Sequence, residues 1–297
     1  MTLTSIDWTP VFGFPVEWAA LALLVTACIW WERAGASGLG VEGAVASAMI
    51  GLILGYEATW SYPIALAIGL GAALVFAAIT GTLLEVFRAD PAVGSFVIGL
   101  IPVSALGLLL RSGRFTLLEE STLPGIVRGT TLGTPAEDLL MNPVLWAAPL
   151  VIALAAWVLW QTPFGLRVRA FGEAPSLRLP GASAVTYRIM GLVVGAMWAF
   201  PGAALLLSAH RANPPSGIGY LALACAVASR WSIAFAILLA LLPAAIRCAI
   251  PAASGTPFGF AVEAAPFAIA LVYLMLLARR ALRMPESRGT RVDPDVL

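Results

Sequence analysis

The sequence contains no lysine and one histidine, and each shortage excludes a class of function. All seventeen basic residues are arginine. A phosphate-binding P-loop needs a lysine on the nucleotide phosphates, so this chain alone cannot be a P-loop ATPase. The single histidine, His210, excludes a site built from several histidines. Charged residues make up 11% of the chain, whereas soluble domains contain about 25%. The composition therefore excludes an ordinary soluble domain.

Cysteines and catalytic motifs are also scarce. Cys28, Cys225 and Cys248 lie in separate apolar runs without metal-ligand spacing, which favours buried thiols over redox or metal chemistry. The sequence has no HExxH motif and no GxSxG motif, and no two acidic residues are adjacent within an apolar segment. The net charge of +1 and the lack of a basic tract give no indication of nucleic-acid binding. We therefore expect neither an enzyme nor a bound metal.

Apolar residues dominate what is present, with 60% hydrophobic residues and a mean hydropathy of +0.93. A helix needs about 20 apolar residues to cross a bilayer. Apolar segments occur at 16–31, 39–58, 64–84, 92–110, 143–160, 187–208, 220–229, 231–250 and 264–278. The segment 220–229 is too short to cross alone. The pattern predicts an all-α polytopic membrane protein, one domain over 1–297, with about 8–10 transmembrane helices, some broken or re-entrant.

Two arginine-rich segments fix the expected orientation in the inner membrane. The loop 161–188 carries Arg167, Arg169, Arg178 and Arg188 against one acid, Glu173, and the tail 279–297 carries five arginines. The positive-inside rule places both in the cytoplasm, with the N-terminus outside. Whether the loop is only a topology anchor or also a docking element stays open on charge alone.

Ionisable residues within spans are the default functional candidates in membrane proteins. Glu42, beside Gly40 and Gly43, either lines a translocation path or caps the second helix. Glu57, Arg247 and Glu263 lie near predicted span ends, where we expect them to snorkel to the interface. The lack of a central series of charges argues against the alternative function, a self-contained ion-coupled secondary transporter.

Three further groups of residues have open or structural interpretations. His210, Arg211 and Asn213 lie on the predicted outer side, as a solvated turn or as a contact for substrate or a binding protein. Prolines inside the spans free backbone groups that neighbours or a cavity must satisfy; they are Pro102, Pro149, Pro201, Pro243 and Pro266. Six tryptophans near span ends predict an interfacial aromatic belt; they are Trp30, Trp31, Trp60, Trp146, Trp160 and Trp231.

Three ordered patches resemble one family of membrane proteins. The first runs Glu32-Arg33-Ala34-Gly35 and then Leu39-Gly40-Val41-Glu42-Gly43. The second runs Thr162-Pro163-Phe164-Gly165-Leu166-Arg167, with Arg169-Ala170 and Gly172-Glu173-x-Pro175. The third is Gly202-Ala203 with Gly217-x-Gly219-Tyr220-x-Ala222-Leu223-Ala224. Together they resemble permease subunits of ABC importers for nucleosides and simple sugars, within the wider family of ribose and branched-chain amino acid permeases.

This resemblance implies a transport subunit that carries out no chemistry itself. It implies a second permease subunit, a cytosolic ATPase that holds ATP and magnesium, and a periplasmic or lipid-anchored solute-binding protein. This chain would bind no cofactor. The segment that contacts the ATPase would lie around 172–181. The residues of the coupling loop would be Arg167, Arg169, Gly172, Glu173, Pro175, Leu177 and Gly181. Where the family usually has asparagine, this chain has Gly38, and Leu177-Arg178 replaces the usual alanine pair.

Overall fold

The structure is a computed structural model that describes residues 9–111, 142–174, 182–209, 217–253 and 259–278. These residues are helical, and the described part contains no strand. The helices are α1 (Thr9–Arg33), α2 (Val41–Thr59), α3 (Tyr62–Val86), α4 (Pro91–Arg111), α5 (Pro143–Gln161), α6 (Pro163–Glu173), α7 (Ala184–Ala209), α8 (Ile218–Ala228), α9 (Ile233–Leu239), α10 (Leu241–Ala253) and α11 (Gly259–Ala278). A short 3-10 turn, Gly38–Gly40, precedes α2.

Six of the described helices are long and apolar enough to cross a membrane, namely α1 to α5 and α7. The shorter apolar helices lie at Ile218–Ala228, Ile233–Cys248 and Ala264–Tyr273. The predicted all-α polytopic fold with broken segments is therefore confirmed. The chain is a multi-pass membrane protein.

Helices α1 and α2 form the centre of the bundle. In each of them 78% of the span is buried, whereas in α4 and α5 the buried share is 17%. Since α1 is apolar around its whole circumference, it can be covered on every side by neighbouring helices. The outer faces of α4 and α5 expose large apolar side chains such as Ile101 and Leu150, as expected of surfaces that face lipid.

Glycines allow α2 to pack closely against its neighbours. A Cβ atom on Gly51 would lie 2.8 Å from the Cα atom of Gly69 in α3. On the other side of α2, a Cβ atom on Gly43 would lie 2.6 Å from the Cα atom of Gly99 in α4. Small residues at such crossings replace the hydrophobic driving force that is absent within lipid. They hold the start of α2 at a fixed position inside the bundle.

The predicted aromatic belt is wrong for three of its six tryptophans. Trp30 and Trp31 are completely buried and Trp231 is 2% exposed. The indole N–H of Trp31 donates to the Leu192 carbonyl in α7 at 3.0 Å, so this ring is part of the helix packing. Trp60 and Trp146 are exposed, as a belt requires. Position near a span end could not separate the two groups, because burial depends on which neighbouring helices cover that end.

The prolines act differently from one another. The helices α4, α5, α7 and α11 each continue through an internal proline. The predicted segment 231–250 is instead divided at Ala240 into α9 and α10, three residues before Pro243. Proline lacks the N–H that would bond the preceding turn, which accounts for a break at this point.

Candidate functional site

The loop predicted at 161–188 is mostly helical, and its central element is α6. Thr162 caps the helix, because its hydroxyl accepts a hydrogen bond from the Gly165 N–H at 3.1 Å. Pro163 follows at the first helical position, where its missing N–H costs nothing. This local Thr-Pro signal ends α5 and starts α6 in a new direction.

One face of α6 is buried and the other is exposed. Gly165, Val168, Phe171 and Gly172 are buried, at the three- and four-residue spacing of one helical face. A Cβ atom on Gly172 would overlap the Arg33 carbonyl oxygen at the end of α1, so only glycine allows this approach. Leu166 on the opposite face is 50% exposed.

An arginine pair around Trp160 fixes α6 to α1 and α5. The Arg33 guanidinium forms a salt bridge with the Glu173 carboxylate at 2.6 Å and lies 5.4 Å from the centre of the Trp160 ring. Arg169 lies over the same ring at 4.2 Å and donates to the Leu159 carbonyl at 3.1 Å. Burial lowers the pKa of Arg169, against the opposing effect of Glu173. It nevertheless stays a cation, because arginine titrates far above neutral pH.

A second contact fixes α6 to α7. Arg167 donates to the Tyr187 hydroxyl at 2.6 Å, and the Tyr187 ring packs against Phe164 and Phe171 at centroid distances of 6.0 and 5.7 Å. The helix α6 is thus attached to α1, α5 and α7 together. It is a rigid platform at the end of the bundle where α1 and α5 finish, rather than a flexible loop.

Arg188, predicted as a charge of the loop, is instead buried in α7. It is 2% exposed and forms a salt bridge with Glu85 of α3 at 3.1 Å. It also donates to the carbonyls of Ala34 and Gly35 at 3.2 and 2.8 Å. These carbonyls follow the last turn of α1, where a cation suits the negative end of the helix dipole. Arg188 therefore joins α1, α3 and α7 and is not part of the exposed surface of the loop.

Several predicted site residues lie outside the described residues. Pro175, Arg178, Leu177 and Gly181 of the coupling segment belong to 175–181. His210, Arg211 and Asn213, the candidates for an outer contact, belong to 210–216. Their proposed roles stay predictions.

The turn between α1 and α2 is built around buried polar groups. The Glu32 carboxylate accepts a hydrogen bond from the Gly38 N–H at 2.9 Å, and the Ser37 side chain caps the 3-10 turn at the Leu39 N–H. The Cys28 sulfur lies 4.0 Å from the Gly38 carbonyl oxygen and 3.8 Å from that of Gly219. The turn, α1 and the start of α8 therefore meet inside the bundle.

Glu42 caps a helix, but not the one that contains it. Its two carboxylate oxygens accept hydrogen bonds from the N–H groups of Gly217 and Gly219, each at 2.5 Å. These two donors belong to the N-terminus of α8, the short helix that is separate in sequence. Glu42 is 4% exposed, so this end of α8 lies within the protein. Of the two roles that the sequence left open for Glu42, the structure shows a helix cap, at α8 and not at α2.

The two glycines beside Glu42 serve close packing. A Cβ atom on Gly40 would overlap the Trp31 ring, and Gly43 lies against Phe76 and Gly99. Both glycines are buried. In this conformation they hold helices together, and their part in a translocation path stays a prediction.

Arg247 does not snorkel to an interface, as its position near a span end predicted. It is 8% exposed, and its Nε atom lies 3.0 Å from a carboxylate oxygen of Glu17 in α1. Glu17 is also buried, with 5% of its side chain exposed. A paired charge can remain buried within a membrane bundle, so the pair joins α1 to α10.

Sequence reasoning missed these long-range pairs because their members are 230 and 103 residues apart. One signal was available. Glu17 is paired with Arg247, and Glu85 is paired with Arg188; in both pairs the arginine lies in a later helix. Charges in spans are usually paired with one another, and counting opposite charges within the spans would have suggested the partners.

Comparisons with known proteins place the chain beside one class of transporter. It is 27% identical to the guanosine ABC transporter permease protein NupQ of Bacillus subtilis (strain 168), over 72% of each chain. It is 29% identical to the nucleoside ABC transporter permease protein NupC of Lactococcus lactis subsp. cremoris, over 47% of each chain. No family model matches the chain. No solved structure matches it.

Proposed function

We propose that this chain, which belongs to the ABC transporter permeases, is one of the membrane subunits of a nucleoside importer. The observation that carries the proposal is its relation to two permeases named for guanosine and nucleoside transport, one of them over 72% of the chain. An ABC permease works with an ATPase. In this proposal ATP and magnesium are bound by that separate subunit, a second permease subunit completes the path, and a solute-binding protein delivers the nucleoside.

The α6 platform supports the proposal because it has the properties of a docking element. Its buried face is fixed to α1, α5 and α7, whereas Leu166 and Arg167 remain exposed on the other face. A partner that binds α6 and displaces it would therefore also displace the helices α1, α5 and α7 to which it is fixed. In the proposal this exposed face, together with the segment 172–181, binds the ATPase.

A continuous set of contacts leads from the platform to the middle of the bundle. Arg33 and Gly172 join α6 to the end of α1, and Arg188 holds the next two carbonyls. The turn that follows leads to Glu42, which is bonded to the start of α8. Coupling between distant sites needs such packed elements with two arrangements. We propose that a displacement of α6 shifts the turn and, with it, α8.

The proposal is tested by substituting the exposed face of α6. The tagged chain is co-expressed with the products of its neighbouring genes and purified in detergent, as wild type and as Leu166→Asp. We expect an ATPase to co-purify with the wild type and to be lost with Leu166→Asp, because a charge would replace an apolar contact at a docking surface. ATP-driven uptake of radiolabelled guanosine into proteoliposomes is then measured, with unlabelled ribose as a competitor.

The control variant is Trp60→Asp. Trp60 is a similarly exposed apolar residue, directly after the last residue of α2 and outside α6, so this variant should retain the ATPase. Monodisperse elution of each variant shows that it is folded. If the ATPase binds Leu166→Asp as well as the wild type, α6 is not the docking face. If the purified chain alone takes up solute on an ion gradient without ATP, it is a secondary transporter and the importer proposal is wrong.

A further inference from the structure

A long apolar groove runs along α1 between α5 and α9. Its cavity volume is about 920 Å³. Small and aliphatic side chains line its length, including Ala22, Ala148, Ile152 and Ile237. Pro15 and Trp146 lie towards one end, where α5 begins, and Arg33 and Trp160 lie towards the other, where α1 and α5 finish.

The groove is longer than one leaflet of a membrane is thick. Trp146 and Trp160 both line it, and a separation of fourteen residues in α5 corresponds to about 21 Å along a helix. One half of a typical hydrocarbon core is about 15 Å thick. An acyl chain that lay along the groove would therefore be covered over its full depth.

The end of the groove that Arg33 lines is positively charged. Arg33 and Arg230 both line the groove, and Arg169 lies over the groove residue Trp160. The one acidic group joined to this cluster in the described residues is Glu173, paired with Arg33. Three cations and one carboxylate leave a net charge of +2. By the positive-inside rule this is the cytoplasmic end.

Two residues that line the groove have polar groups with no partner in the part of the chain that the structure describes. The Arg230 side chain is exposed and forms none of the ion pairs found there. The Trp231 indole N–H is buried and unbonded, which leaves a donor without an acceptor. Both residues have left-handed backbones, with φ of 57° and 59°, a conformation that is uncommon without glycine. The junction between α8 and α9 thus holds the Arg230 cation at the groove against a backbone cost.

We propose that this groove binds an anionic phospholipid of the cytoplasmic leaflet, with an acyl chain along α1 and the phosphate at Arg230 and Arg33. Basic pockets between transmembrane helices on the cytoplasmic side are suited to anionic headgroups. A zwitterionic lipid would supply the chain without the net negative charge. A helix of a second copy would cover the apolar wall but leave the arginines uncompensated. The groove shares Arg33 and Trp160 with the α6 platform, but lipid binding can be measured without the proposed transport function.

The test is native mass spectrometry of the full-length chain, delipidated in detergent and titrated with phosphatidylglycerol or phosphatidylcholine. We expect the wild type to retain phosphatidylglycerol preferentially. The variant Arg230→Gln should bind it about fivefold more weakly, because one arginine near the membrane surface contributes about 1 kcal/mol. The variant Ala153→Trp, which fills the groove from its exposed side, should bind less of both lipids.

The control is Arg111→Gln, which removes an exposed arginine at the end of α4, outside the groove, and should leave the preference unchanged. The proposal is wrong if both lipids bind the wild type equally, or if Arg230→Gln keeps the preference. It is also wrong if Ala153→Cys cross-links two copies in native membranes, because the groove would then be an interface between copies. Transport activity does not enter any of these measurements.

Discussion

Removing the Glu42 carboxylate should destabilise the bundle more than removing any exposed acid of comparable type. The substitution Glu42→Ala leaves the N–H groups of Gly217 and Gly219 without their acceptor inside the protein. It also removes a negative charge from the positive end of the α8 dipole. It creates no steric clash, because alanine is smaller. The expected loss therefore reflects the cap itself and the volume of the deleted side chain.

The size of the loss in folding free energy can be bounded from two measured scales of hydrogen-bond strength. Hydrogen bonds to a charged group contribute about 1.5–3 kcal/mol each, which gives about 3–6 kcal/mol for two. Hydrogen bonds between transmembrane helices average about 0.6 kcal/mol each, which gives about 1 kcal/mol. We expect Glu42→Ala to cost about 1–6 kcal/mol. Glu42→Gln should cost less, because its amide oxygen can still accept one of the two bonds.

The assay is unfolding in mixed micelles on titration with SDS, followed by tryptophan fluorescence. The matched control is Glu57→Ala in the same helix, because Glu57 is half-buried and no hydrogen bond or ion pair of its side chain is found among the described residues. It should change the free energy of unfolding by less than about 0.5 kcal/mol. If Glu42→Ala is no more destabilising than Glu57→Ala, the carboxylate does not support α8, and its contact with Gly217 and Gly219 has no energetic weight.

Two further predictions concern the buried ion pairs. Arg188→Met leaves the Glu85 carboxylate buried without its cation and should cost about 3–5 kcal/mol; the double variant Arg188→Met/Glu85→Leu should recover most of that loss in the same SDS titration, and additive losses would contradict the pairing. Glu17→Leu leaves Arg247 uncompensated and should cost a similar amount, whereas Glu17→Leu/Arg247→Leu should be closer to the wild type. If the losses of Glu17→Leu and Arg247→Leu simply add in the double variant, the two groups do not interact.

The helices could be predicted from the sequence because their signals are local. Apolar runs of sufficient length located the spans, and the Thr162-Pro163 pair marks the start of α6. The short segment 220–229 was identified as unable to cross alone, and it forms α8. These predictions depend only on residues within a few turns of one another, where hydropathy and the missing N–H of proline determine the backbone.

The site could not be predicted to the same extent, because its contacts join residues far apart in the chain. The sequence identified Glu42 and the Gly217-x-Gly219 pattern separately, without indicating that one binds the other. Arg247 was assigned to an interface since its place in the helix said nothing about Glu17. Trp30 and Trp31 were assigned to a belt because burial by neighbouring helices is a property of the assembled bundle and not of α1.

The capping of α8 by Glu42 also has a consequence for biogenesis. The acceptor is synthesised first, and its donors Gly217 and Gly219 follow 175 and 177 residues later. At about 5–20 residues per second, this is a delay of about 10–35 s. During that time the Glu42 carboxylate, in the first turn of α2, is without the two donors that it binds in the folded bundle. The contact that fixes the start of α8 to α2 can therefore form only after the second half of the chain has been synthesised.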